Sequence, residues 1–235
     1  TRRRTSSSPT SSADVTDAPA ARLAAFLEQL EDARRARGVT LIVVTKRHPA
    51  ALVRELAEAG HRDFGESRHP ESRDKAEELA GLGLTWHFVG QLQSKKAKSV
   101  VKYAASVHSV DREALASALA KAMADETERT GRAPLDCFIQ VSLDDDAGGH
   151  RGGASADEVP ALAEQLAGAA GLRLAGVMAV APLGADPAAA FEKLAGISGR
   201  LVEQFPGATC ISAGMSQDLE QAVRFGATHL RVGSD

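Results

Sequence analysis

Residues 39–49 read Val39-Thr40-Leu41-Ile42-Val43-Val44-Thr45-Lys46-Arg47-His48-Pro49, and the fold turns on how this stretch is read. Its first seven residues are mostly β-branched and carry no polar alternation. A strand that is apolar on both faces is covered on both, as in a parallel sheet flanked by helices. An open doubly wound sheet would follow its first strand with a glycine fingerprint. Here Lys-Arg-His-Pro follows instead. The stretch therefore favours a closed barrel over the open sheet.

On the N-terminal side, Leu23, Phe26, Leu27 and Leu30 fall at helical spacing from Ala18 onward, with Gly38 as the stop. On the C-terminal side the period alternates. Helices are expected at 49–59, 70–80, 95–103, 112–129, 156–169, 187–205 and 217–225. Strands are expected between them at 61–64, 84–89, 106–110, 135–141, 172–178, 209–211 and 229–232. About eight strand–helix units close a barrel of roughly 250 residues. The predicted fold class is thus α/β, a single (β/α)8 TIM barrel over residues 20–235. Residues 1–19 are rich in Ser, Thr and Pro and are expected to be a disordered tail.

Composition narrows the function classes. The chain of 235 residues has 28 Lys plus Arg against 31 Asp plus Glu, a net charge of -3, which excludes a globally basic nucleic-acid binder. No apolar run approaches the roughly 20 residues of a membrane span. Cys137 and Cys210 sit in apolar segments and read as buried free thiols of a reducing compartment, so a cytoplasmic protein is expected. The seven histidines share no ligand spacing, and no metal site is expected.

Barrel chemistry gathers where strands end. Lys46 stands at the end of the first strand. Loss of solvation there would lower its pKa, and a neutral amine forms Schiff bases with aldehydes. Position alone favours a rim lysine with its head in water. Ser212-Ala213-Gly214-Met215-Ser216-Gln217-Asp218 leaves the seventh strand and opens a helix, and Gly233-Ser234 leaves the eighth. Glycine, hydroxyls and a helix start suit an anion, and barrels often bind phosphate in these two loops. Ser216 also reads as a helix cap. A phosphate loop opposite an imine-forming lysine suggests pyridoxal 5'-phosphate. Arg231 lies on the last strand: pointing into the barrel toward the cofactor ring, it would leave the pyridine nitrogen unprotonated, since two cations repel, while at the strand edge it would make a salt bridge.

Thr45-Lys46, Phe64-Gly65-Glu66, Trp86-His87-Phe88-Val89-Gly90-Gln91-Leu92-Gln93 with Lys96, Gly214-Met215-Ser216-Gln217-Asp218 and Arg231-Val232-Gly233 occur in this order. The ordered set closely resembles the pyridoxal phosphate homeostasis (YggS/PROSC) family over about residues 20–235. The resemblance implies a barrel like the N-terminal domain of alanine racemase. It implies that Lys46 holds the cofactor as an internal aldimine. It places Ser212, Met215 and Ser216 in one phosphate loop, Gly233 and Ser234 in the other, and Arg231 near the ring. It also implies a carrier or regulator of the cofactor and of amino-acid pools rather than a catalyst, acting as a monomer, with apo-enzymes as possible recipients.

Several positions depart from the family pattern. Ser67 and Lys95 stand where asparagine is usual, Ser234 replaces a usual threonine, and residues 146–150 lack the usual wording. The family continues past Gly233-Ser234 with an apolar segment and a final glycine, so further chain is expected beyond Asp235. The alternative activity, amino-acid racemisation, needs a proton donor on each face of the substrate carbon. The one tyrosine, Tyr103, is expected in a helix, poorly placed for that role. Among the remaining features, Glu66 is a candidate to orient Lys46 or a water, and His87 reads as a satisfied core histidine. Lys95, Lys96, Lys98 and Lys102 read as a solvated face, and Asp144, Asp145 and Asp146 as a solvated loop.

Overall fold

The computed structural model describes residues 18–30, 38–144 and 152–233. Helix α1 (Pro19–Gln29) precedes β1 (Thr40–Val44), α2 (Ala50–Glu58) and β2 (Asp63–Glu66). Then come α3 (Glu71–Glu78), β3 (Thr85–Phe88), α4 (Ala97–Val100) and β4 (Ala104–Val110). The order continues with α5 (Glu113–Thr130), β5 (Leu135–Gln140), α6 (Val159–Gly168) and β6 (Leu172–Met178). It ends with α7 (Pro187–Gln204), β7 (Cys210–Ser212), α8 (Leu219–Arg224) and β8 (His229–Val232). The strands form one closed barrel in sequence order, β1 to β8.

Closure is made by the first and last strands, with Ile42 opposite Arg231 and Val43 opposite Val232. Gly233 continues this contact. A Cβ there would overlap the carbonyl oxygen of Val44 and lie 2.8 Å from Val44 Cβ, so only glycine lets the two chains approach this closely. The apolar core lies mainly between strands and helices, where Leu115, Leu119, Met123, Leu135, Leu166 and Leu194 are fully buried. Inside the barrel, His87, His108, His229 and Phe138 form a cluster of mutually contacting rings. Barrel interiors are commonly filled by branched aliphatic side chains, so this polar filling is a distinguishing feature of the chain.

The expected elements are all present, with shifted ends. Helix α1 already begins at Pro19, which the sequence reading assigned to the tail; proline at the first helical position loses no hydrogen bond. The second strand starts two residues later than expected. The basic segment 95–103 forms only a 3-10 turn, the one-turn α4 and a further turn, and β4 begins two residues earlier than expected, at Ala104. Residues 1–17 of the expected tail, Asp145, the 146–150 loop and Ser234 lie outside the described residues. Among the described residues no helix is long and apolar enough to cross a membrane.

Candidate functional site

Strands β7, β8 and β1 are neighbours in the closed barrel, so their C-terminal ends meet. Lys46, Gly233 and the loop from Gly214 to Ser216 all leave this one rim. Thr45, Ser216 and Gly233 line one end of a cavity of about 360 Å³ that continues beneath α1. Closure brings together residues that lie some 170–190 positions apart in the chain.

Lys46 is exposed, in a turn after β1. It is therefore a rim lysine with its head in water, as its strand-end position alone favoured. Among the described residues its amine has no hydrogen-bond or ion-pair partner. Its neighbours, by contrast, are held tightly. The Thr45 N–H donates to the Gly65 carbonyl (2.9 Å), and the Thr45 carbonyl accepts from His48 N–H (3.0 Å). The same carbonyl accepts from Lys75 Nζ at 2.7 Å, and Thr45 Oγ1 donates to Glu66 Oε1 at 2.8 Å. Lys75 Nζ also donates to Glu66 Oε1 (2.7 Å) and Glu71 Oε1 (3.0 Å), which uses all three of its hydrogens. On the other side, the Arg47 N–H donates to Glu71 Oε1 at 2.8 Å. Arg47 has φ of 67°, a left-handed conformation that disfavours a side chain. The Glu66–Lys75–Glu71 group thus clamps the residues before and after Lys46 and supports a strained turn. The sequence reading raised Glu66 as an orienting group; it acts on Thr45 rather than on the amine itself. Lys75 was missed, because a lysine in a charged helix reads as solvated until the fold buries it.

Arg231 points into the barrel and is buried. It donates from Nη1 to Ser212 Oγ (2.6 Å) and from Nη2 to the Ala179 carbonyl (2.9 Å). Burial lowers its pKa to about 10, with the charge of Asp218 opposing, so it stays a cation at neutral pH. Among the described residues it makes no ion pair. A buried guanidinium with only neutral contact partners favours an electron-rich ligand.

The loop after β7 differs from its expected form. Helix α8 starts at Leu219, and Asp218 does not serve its first turn; its Oδ1 accepts from the Met215 N–H at 2.6 Å. That N–H is already committed, so the Ser216 hydroxyl, half-buried at the rim, is the freer donor of the loop. Ser212 is fully buried at the end of β7, against Arg231. Tyr103 lies on the outer flank, its hydroxyl 2.6 Å from Ser72 Oγ, and burial pushes its pKa up to about 12.

Comparison with known proteins gives this geometry a family. Residues 21–235 match the family described as alanine racemase, N-terminal domain. The pyridoxal phosphate homeostasis protein of Corynebacterium glutamicum is 42% identical over 199 residues, covering 84% of this chain and 88% of that one. The chain belongs to the pyridoxal phosphate homeostasis protein family. The Mycobacterium tuberculosis member of this family is 38% identical over 231 residues, covering 90% of this chain and 89% of its own. Among solved structures, PipY of Synechococcus elongatus with PLP bound is 38% identical, with a TM-score of 0.79 over 91% of this chain and 97% of its own. Alanine racemase of Corynebacterium glutamicum shares the fold at 15% identity and a TM-score of 0.63, covering 90% of this chain and 59% of that enzyme. The family expected from the ordered motifs is thus the one found, and so is the barrel.

Proposed function

We propose that this chain binds pyridoxal 5'-phosphate at the rim shared by β7, β8 and β1 and serves in homeostasis of the cofactor, as a carrier or regulator rather than a catalyst. The observation that carries the reading is the meeting, on three adjacent strand ends, of an amine without a partner among the described residues, a buried guanidinium without an ion pair among them and a hydroxyl-bearing loop. This donor set fits the group, which supplies an aldehyde for a primary amine and a phosphate for hydroxyl and N–H donors. Lys46 is the covalent anchor. Its turn is held by the Glu66–Lys75–Glu71 clamp, so the amine is presented at a fixed place. Ser216, beside Ser212 and Met215, forms one side of the phosphate seat, with Gly233 on the other; the family pattern adds Ser234, which lies outside the described residues. Arg231 holds a positive charge beside the ring. The PLP bound to PipY and the names of the homeostasis relatives support the ligand.

The non-catalytic reading is supported by Tyr103, whose hydroxyl is tied to Ser72 on α3 rather than carried by the loops after β7 and β8. Every proposed contact comes from one barrel, which suits a monomer that passes its cofactor to apo-enzymes in the cytoplasm. The test is an absorbance spectrum with pyridoxal phosphate, before and after borohydride, then mass spectrometry of the Lys46 peptide. A visible band lost on reduction, with the adduct on Lys46 and absent from Lys46→Ala, is expected. An adduct on another lysine overturns the anchor. No band and no adduct in folded protein overturn the ligand. D-amino-acid formation by the loaded protein overturns the non-catalytic role.

A further inference from the structure

Six polar side chains form one continuous chain of hydrogen bonds through the barrel. Arg231 Nη1 donates to Ser212 Oγ at 2.6 Å, and Ser212 Oγ lies 2.8 Å from His108 Nδ1. His108 Nε2 lies 2.9 Å from Ser106 Oγ, which lies 2.7 Å from His87 Nδ1. His87 Nε2 lies 3.1 Å from Asp63 Oδ1, at the start of β2 and thus at the opposite end of the barrel from the rim. Asp63 keeps 34% of its side chain exposed there, while Ser212 and His108 are wholly buried.

The two ends fix the direction of every link. A guanidinium only donates and a carboxylate only accepts. With both imidazoles neutral, Ser212 O–H donates to His108 Nδ1 and His108 Nε2–H to Ser106. In turn, Ser106 O–H donates to His87 Nδ1 and His87 Nε2–H to Asp63. One extra proton reverses the middle of the chain. The Ser106 proton passes to His87 Nδ1, the His108 Nε2 proton to Ser106, and the Ser212 proton to His108 Nδ1. Ser212 takes a replacement from solvent or from a protonated ligand group at the rim. The charge then rests on a His87 imidazolium beside Asp63, and the Ser212 hydroxyl, accepting from Arg231 and His108, donates toward the rim. His108 Nε2 and His87 Nδ1 are also only 3.3 Å apart, which suits either direction.

We propose that this chain is a proton wire through which the Asp63–His87 pair at the far end of the barrel sets the donor direction of Ser212 at the rim. Its effect on the cofactor rests on the seat proposed above; the wire itself does not. The charged and titratable groups facing it are Asp63 with neighbouring His61, His108 on β4, Asp136 on β5, and His229 and Arg231 on β8.

The test is long-range 1H–15N spectroscopy of the histidine side chains in the full chain across pH. At neutral pH, His108 and His87 are both expected to carry the proton on Nε2. On acidification, His87 gains its second proton and His108 moves to the Nδ1–H form at the same midpoint. A neutral-pH His108 protonated on Nδ1, or a His108 that keeps Nε2–H after His87 is charged, overturns the wire. In Asp63→Asn the joint midpoint is expected to fall, since the imidazolium loses its carboxylate; an unmoved midpoint overturns the role of Asp63. Pyridoxal phosphate affinity is expected to change about tenfold through the transition, the scale of one hydrogen bond to a charged group. That step is expected to move with the midpoint in Asp63→Asn, and an affinity step that ignores the variant overturns the link to the rim. Absence of any binding refutes the seat, while the tautomers of the wild-type protein decide the wire by themselves.

Discussion

Lys75 offers the sharpest test of how the Lys46 turn is held. Its side chain is 7% exposed and that of its partner Glu66 is 1% exposed, and Glu66 Oε2 has no hydrogen-bond partner among the described residues. Lys75→Met removes the charge that balances Glu66 and two supports of the turn, the bond to the Thr45 carbonyl and the tie to Glu71. Breaking a buried ion pair from one side costs about 3–5 kcal/mol, because the remaining charge stays uncompensated. In a domain of this size each kcal/mol lowers Tm by about 2–4 °C, so a loss of roughly 6–20 °C is expected. Adding Glu66→Gln removes the stranded charge, and most of the stability should return. In the double variant the Thr45 carbonyl keeps only the His48 N–H and Glu71 loses its tie to Lys75, so Lys46 is still misplaced. Misplacement of a reacting group by about 1 Å can cost a hundredfold in rate. Urea unfolding measures the first effect, and the rate of borohydride-trappable pyridoxal phosphate capture measures the second. Capture at the wild-type rate in the double variant would refute the clamp, as would a loss below about 1 kcal/mol in Lys75→Met.

Three other outcomes follow from the packing. Gly233→Ala should cost about 1–3 kcal/mol, the usual range for overpacking, because its Cβ would meet the Val44 backbone at barrel closure; an unchanged urea midpoint contradicts this. Burial lowers the pKa of His229 to about 4, so the folded protein binds its proton less readily than the unfolded chain. The stability it contributes is present above pH 6.5 and lost as pH falls toward 4, by about 3 kcal/mol. His229→Gln should flatten the urea midpoint across that window, and an equally steep dependence in the variant would show that other groups govern it. Finally, Cys137 is buried and desolvation pushes its thiol pKa strongly upward, whereas Cys210 is half-buried. A thiol reagent at neutral pH should label Cys210 slowly and Cys137 only on unfolding, which mass spectrometry of timed samples will show.

The barrel was legible in the sequence because its cues are local. The run Leu41 to Val44 and the segments 172–178 and 229–232 carry their strand character in their own residues, and a glycine or proline beside most elements marks where each ends. The positions of the proposed site residues were legible for a related reason: Lys46, Ser212 and Gly233 stand at strand ends and Ser216 in the loop after β7, and strand ends are where a barrel puts its chemistry. Lys75 and Asp63 were not legible, because their roles depend on partners far away in sequence. Lys75 sits in the segment Glu71–Glu78, among charged neighbours that read as solvent-facing; only the packing of α3 over β2 brings its ammonium onto the Thr45 carbonyl. His87 was read as a satisfied core histidine, and it is satisfied. What periodicity does not reveal is that its partners, Asp63 and Ser106, continue through His108 to the residue that holds Arg231. A buried polar group must find a partner or lose about 1–3 kcal/mol. Filling a barrel with histidine and serine is therefore sustainable only if each finds the next. The requirement that makes this interior stable is the same one that makes it continuous, and continuity from a partly exposed carboxylate to a rim guanidinium is the basis of the role beyond packing proposed for it.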